Sequence, residues 1–105
     1  MNIQLKKGVL ELCVLASLSQ TDRYGYELVE MISRNVNIAE GTIYPLLKRL
    51  LDDGFCSTYL KESPTGPPRK YYHLTARGRL EVERLTTEWN ALTRGVSQIL
   101  EGDRS

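Results

Sequence analysis

The chain is poor in the residues that carry chemistry, with one histidine, two cysteines and one tryptophan among 105 residues. It has no paired carboxylates in a plausible cleft and no nucleotide-binding glycine loop, so no catalytic constellation can be assembled and an enzyme is the remotest reading. Cys13 falls in an apolar helix pattern and Cys56 in a strand pattern. Neither has the close Cys/His spacing of a zinc site, so both read as free buried thiols in a reducing cytosol, and no metal or cofactor is expected. No stretch approaches the roughly 18 uninterrupted apolar residues of a membrane span. The apolar run after Met1-Asn2-Ile3-Gln4-Leu5-Lys6-Lys7 is broken by Glu11 and lacks a small-residue cleavage site, so a cytoplasmic protein without a signal peptide is expected. An excess of one charge is missing as well. The net charge is +1 and the isoelectric point near 7.8, so any contact with nucleic acid must rest on where the charges lie.

What is present suffices for a folded domain. Hydrophobic residues make up 41% and charged residues 26%, an ordinary globular balance. A chain this short buries only about 60 to 65% of the surface its unfolded form exposes, so a second subunit would stabilise it considerably.

Apolar spacing divides the chain into elements. Val9, Leu10, Leu12, Cys13, Val14, Leu15, Ala16 and Leu18 make a first helix that is apolar nearly all round, which in a water-soluble chain implies burial on more than one side. After Ser19-Gln20-Thr21-Asp22, an amphipathic second helix runs from about Tyr24 to Val36. Asn37 and Glu40 have the spacing of a capping box, which starts a third helix that reaches about Asp53 and is ended by Gly54. Ile43, Leu46, Leu47, Leu50 and Leu51 form its inner face and leave Thr42, Tyr44, Pro45, Lys48, Arg49 and Asp52 outside. Pro45 should lie in or near the first turn, because a proline in a helix interior removes a hydrogen bond and clashes with the carbonyl four residues back. The helix is therefore expected to begin later than the capping box suggests.

Phe55 to Lys61 and Arg69 to Leu74 read as strands. Glu62-Ser63-Pro64-Thr65-Gly66-Pro67-Pro68 between them reads as a protruding hairpin tip. Three helices followed by a hairpin is the order of a winged helix-turn-helix, mainly α with a small β-hairpin. Thr75 can cap a last helix of about 26 residues, roughly 39 Å long. Its apolar residues Val82, Leu85, Trp89, Leu92, Val96 and Ile99 step by three and four like the seam of a coiled coil, which predicts a homodimer. The expected division is a DNA-binding region at 1–74 and a dimerisation helix at 75–105.

Three blocks carry a family resemblance. Gly25-Tyr26-Glu27-Leu28, Gly41-Thr42-Ile43-Tyr44-Pro45-Leu46-Leu47-Lys48-Arg49-Leu50, and Gly66-Pro67-Pro68-Arg69-Lys70-Tyr71-Tyr72-His73-Leu74-Thr75 with Gly78 resemble the PadR-like transcriptional regulators in order and spacing. The resemblance spans almost the whole chain. It implies a winged-helix dimer whose last helix packs on the partner's first and last helices, which brings Val9 and Leu12 into the interface. The single C-terminal helix is similar to a compact subfamily, some members of which hold flat aromatic compounds between paired tryptophans. Trp89 falls at the matching place. Ala39-Glu40 departs from the Ser-Pro often found at the start of the third helix.

Lys48 and Arg49 on the third helix, with Arg69 and Lys70 at the wing base, make two basic clusters that can neutralise phosphates. Thr42, Tyr44 and Pro45 lie where helix-turn-helix proteins touch base edges, although with no Asn or Gln there much of the preference would come from DNA shape. Tyr44 can instead sit half buried between helix and wing. Tyr26, Tyr71 and Tyr72 can each present a hydroxyl to a phosphate, but Tyr71 and Tyr72 face opposite sides of their strand, and Tyr72 is assigned inward with Leu74. His73 reads as a surface residue of the wing. Trp89 is read two ways, as a wide side chain in a dry dimer core or as one wall of an apolar slot for a planar aromatic effector. The functional reading is a regulator, a repressor of an inverted-repeat operator on double-stranded DNA. The alternative is a winged-helix protein-interaction module that does not bind DNA, which near-neutral charge favours and the two basic clusters oppose.

Overall fold

An apolar helix needs neighbours, and α1 (Ile3–Gln20) has them on several sides. The computed structural model describes residues 3–102, with side chains from Gly8 onward; the basic run 1–7, as side chains, and positions 103–105 of the expected C-terminal region lie outside the described residues. Leu10, Val14, Leu15 and Leu18 of α1 are buried against Leu28 and Ile32 of α2 (Gly25–Val36), Ile43, Leu47 and Leu50 of α3 (Glu40–Asp52), and Leu74. A two-residue strand, β1 (Arg23–Tyr24), precedes α2. A hairpin of β2 (Cys56–Ser63) and β3 (Gly66–Leu74) follows α3, and α4 (Ala76–Glu101) ends the described chain.

The expected hairpin is therefore the larger part of a three-stranded antiparallel sheet of order β1-β3-β2. Arg23 pairs with Tyr72 and Tyr24 with Tyr71, so β1 covers the second edge of β3 for two residues. Side chains alternate as a half-buried strand requires: Tyr72 and Leu74 face the core together with Cys56, the partner of Leu74. Burial pushes the Cys56 thiol up to about 11, and both cysteines are free. Gly25 allows the close approach of α2 to the sheet, because a Cβ there would stand 3.1 Å from the Tyr72 ring.

Three local expectations need correction. Asn37 does not cap α3: at φ 54° it is the left-handed residue that ends α2, a conformation its short polar side chain tolerates, and Ala39 precedes α3 without any side-chain cap. Pro45 is the sixth residue of α3 and not in its first turn, so the helix starts no later than Glu40. The first N–H groups of a helix have no intrahelical acceptor in any case, and Pro45 removes only one further bond close to that end. The seven-residue tip shrinks to Pro64-Thr65, with Pro67 and Pro68 inside β3. The ladder is irregular between the Lys61 and Ser63 pairs, which is the kind of place where a strand accepts proline.

The helix ends on either side of the hairpin are built as the residues suggest. Gly54 at φ 80° closes α3 while its own N–H donates to Leu51 O and that of Phe55 to Leu50 O. Thr75 Oγ1 accepts from the Gly78 amide at 3.0 Å and donates to Gly54 O at 2.7 Å, so one side chain starts α4 and fastens it to the end of α3. Val82 and Leu85 pack on the core; beyond them α4 runs outward, and the molecule is 60 Å long in a body 28 by 21 Å across.

Gly78 is the tightest point of that junction. A Cβ there would collide with the Phe55 carbonyl and the Leu74 side chain. Gly78→Ala is expected to destabilise the fold by about 1–3 kcal/mol, the usual cost of overfilling a packed contact, as read by urea denaturation; an unchanged midpoint would contradict this packing.

Candidate nucleic-acid interface and helix groove

The inner face of α3 is fixed by Ile43, Leu46, Leu47 and Leu50, and this turns Thr42, Tyr44, Pro45, Lys48 and Arg49 outward, all exposed. The face is less basic than the bare sequence suggests. Lys48 Nζ lies 3.3 Å from Asp52, one turn on, and Arg49 lies 3.4 Å from Asp53 and 3.6 Å from Glu11 of α1. With its side chain 79% exposed, Lys48 is held by a pair of little strength and can swing to a phosphate. Arg49 also fastens α3 to α1.

Arg69 and Lys70 do not form one cluster, because alternation sends them to opposite faces of β3. Lys70 Nζ sits 5.6 Å from the centre of the Tyr72 ring, on the face of the strand that Tyr72 turns to the core. Burial above all, with smaller effects from the Cys56 thiol and the Tyr44 phenol, raises the Tyr72 hydroxyl. Lys70 therefore stands on the Tyr72 side of β3, apart from Arg69. Arg69 stands on the outer face with its guanidinium 5.0 Å from the Tyr24 ring.

That outer face carries a row of aromatic rings of which Tyr26 and Tyr71 are the only members singled out from the sequence. Tyr26 is 6.3 Å from Tyr24, Tyr24 is 6.0 Å from Tyr71, and Tyr71 stacks on Tyr59 at 5.7 Å with planes 19° apart. Lys61 stands over Tyr71 at 5.3 Å. The period of two on β2 puts Tyr59 and Lys61 on one side and was the available signal for them; Tyr24 required the unforeseen β1. At the end of the row the Asp22 carboxylate accepts hydrogen bonds from Tyr59 Oη and His73 Nδ1, each at 2.8 Å. His73, and then Tyr59, hold the Asp22 carboxyl below its ordinary range, and Asp22 in turn raises the Tyr59 phenol. Among the described residues no group of three or more His, Cys, Asp or Glu side chains is placed to hold a metal ion.

A second feature lies between α1 and α4. Gly8, Val9, Leu12, Leu85, Glu88, Trp89 and Leu92 line an open groove of about 160 Å³. Trp89 is 39% exposed, so one side of the indole faces the opening. Glu88 at the rim accepts from Arg84, which is also held at 2.7 Å by Glu81. Of the residues expected along the seam, Val82 and Leu85 are engaged within the chain, whereas Leu92, Val96 and Ile99 are exposed.

This arrangement has known counterparts. A structure of a PadR-like transcriptional regulator from Bacillus cereus is 39% identical, with a TM-score of 0.84 over 95% of this chain and 99% of that one. A Streptococcus transcriptional regulator is 41% identical, with a TM-score of 0.83 over 93% of this chain and 98% of that one. A curated protein of Lysinibacillus sphaericus without assigned function is 31% identical over 100 residues, 91% of this chain and 92% of its own length. Residues 14–84 match the transcriptional regulator PadR-like family, and with the winged-helix fold and the exposed α3 face this chain belongs to that family of DNA-binding regulators.

Proposed function

We propose that the protein is a homodimeric repressor that binds an inverted-repeat operator and is released by a planar apolar compound seated against Trp89. The observation that carries the reading is the outward row of Thr42, Tyr44, Pro45 and Lys48 on α3, with Lys70 exposed on the wing. A helix held this way fits the major groove, with hydroxyls and a proline ring toward base edges and two ammonium groups toward phosphates. Residues 1–74 would read the DNA and 75–105 would join two copies, and the protein would work in the cytoplasm, on chromosomal DNA. Two-fold symmetry then sets the half-sites about 34–36 Å apart, or a multiple of that.

The groove supports the regulatory part. Packing of two α4 helices through Leu92, Val96 and Ile99, with Val9 and Leu12 of α1 alongside, would bring two Trp89 rings to one interface. A flat ligand between them alters DNA affinity only if it binds the competent and incompetent dimer geometries unequally. The acid partners of Lys48 and Arg49 favour the other reading, a winged-helix interaction module, because they reduce the positive potential of α3.

Binding to duplex DNA decides between them. Lys48→Ala is expected to weaken binding to all duplexes similarly and to reduce the slope of log affinity against log salt by roughly 0.9, the counterion release of one phosphate contact. Unaltered binding by both Lys48→Ala and Arg49→Ala, measured by fluorescence anisotropy, would remove α3 from the interface. Planar aromatic dyes are expected to quench the single tryptophan of the wild type, and Trp89→Ala should lose dye binding while remaining a dimer. A panel of such dyes that leaves the indole emission unchanged would end the ligand assignment.

A further inference from the structure

The wing is fastened to the rest of the domain by a polar contact that the DNA reading leaves unused. Asp22 hangs from the turn after α1, and that turn is itself clamped: Arg23 donates from Nε to Ser17 O at 3.2 Å and from Nη2 to Gln20 Oε1 at 2.9 Å. From this fixed point the carboxylate takes one hydrogen bond from β2, through Tyr59, and one from β3, through His73. The partners are 37 and 51 residues away in sequence, so the contact joins distant parts of the chain. Ser57 faces His73 and Tyr59 faces Tyr71 in the ladder, so the two strands are gripped on the same face two ladder positions apart.

The grip has consequences along the outer face. The ring that Asp22 holds by its hydroxyl is the ring stacked on Tyr71, and Tyr71 stands between Lys61 and Tyr24, which carries Arg69. We propose that Asp22, Tyr59 and His73 form a tether that sets the angle of the wing, and that they are positioning residues for DNA binding without touching DNA themselves. This rests on the proposed DNA reading. The groups facing Asp22 are Tyr59 and His73, with Arg79 of α4 further off, and Tyr71 faces Tyr59. An imidazole can donate through Nδ1 to the Asp22 carboxylate both as the cation and as one neutral tautomer. The lowered carboxyl of Asp22 means that the contact's stabilisation is present above the ordinary carboxylate range and is lost on acidification through the lowered value.

The test uses the whole chain and a duplex enriched from a random pool by the wild-type protein. Asp22→Ala and Tyr59→Phe are each expected to weaken binding to it by about three- to tenfold, the size expected for a lost, partly exposed, charge-assisted hydrogen bond. The salt slope should stay as in the wild type, because no phosphate contact is removed. The double variant should be no weaker than Asp22→Ala alone, since both act through one contact. Amide exchange should rise in β2 and β3 while core amides of α1 and α3 keep their protection, a pattern that a general loss of stability would not give. Affinity that is unchanged or raised in both variants, with Lys48→Ala still weakening binding, overturns the tether and leaves the DNA reading standing. A shallower salt slope overturns it too, by assigning these residues to direct contact. Failure of the wild type to enrich any duplex overturns the DNA reading and the tether with it.

Discussion

Leu92, Val96, Ile99 and Leu100 line the outer half of α4, and among the described residues little covers them; Ile99 and Leu100 are each 80% exposed. Apolar surface is disfavoured in water by about 25 cal/mol per Å², so a helix that carries such a row away from its own core is arranged for another surface. Trp89 sits where this row meets the domain, with one side on the groove beside Val9 and Leu12. The proposed dimer depends on this single exposed row. If a second copy covers it, two α3 helices are set at a fixed separation and the groove becomes a shared compartment.

Charge enters differently. A net charge of +1 gives no long-range attraction for a polyanion, and the cations of α3 each stand near a carboxylate. Surface pairs of this kind are weak and exchangeable. They lower non-specific attraction more than they lower a well-placed contact, since a phosphate at the right position can replace the carboxylate. The outer face of the wing gives its cations a different setting, in which Lys61 and Arg69 lie over tyrosine rings and are oriented by them.

Much of this was legible from the chain. The period of α3 assigned its outward residues correctly, because one helix face is decided by spacing alone. Alternation placed Tyr72 inward, and Thr75 could be read as a cap because its side chain acts on an amide three residues away. Alternation also contained the separation of Arg69 from Lys70, which sequence adjacency obscured. What could not be read was long-range. β1 exists only because β3 offers an edge 47 to 49 positions further on, and no local preference marks a two-residue strand. The Asn37–Glu40 spacing suits a capping box, but the backbone needed a left-handed residue at that corner, and Asn37 took that role instead. Asp22, Tyr59 and His73 look like three unrelated surface residues until the sheet closes, as do Arg49 and Glu11 until α3 meets α1.

Sedimentation equilibrium at micromolar concentration tests the dependence on a second copy most directly. The expected result is a species of twice the 12.0 kDa chain mass that shifts toward single chains when charged residues replace Val96 and Ile99. A wild-type protein that sediments as one chain while circular dichroism shows its long helix intact would contradict the account.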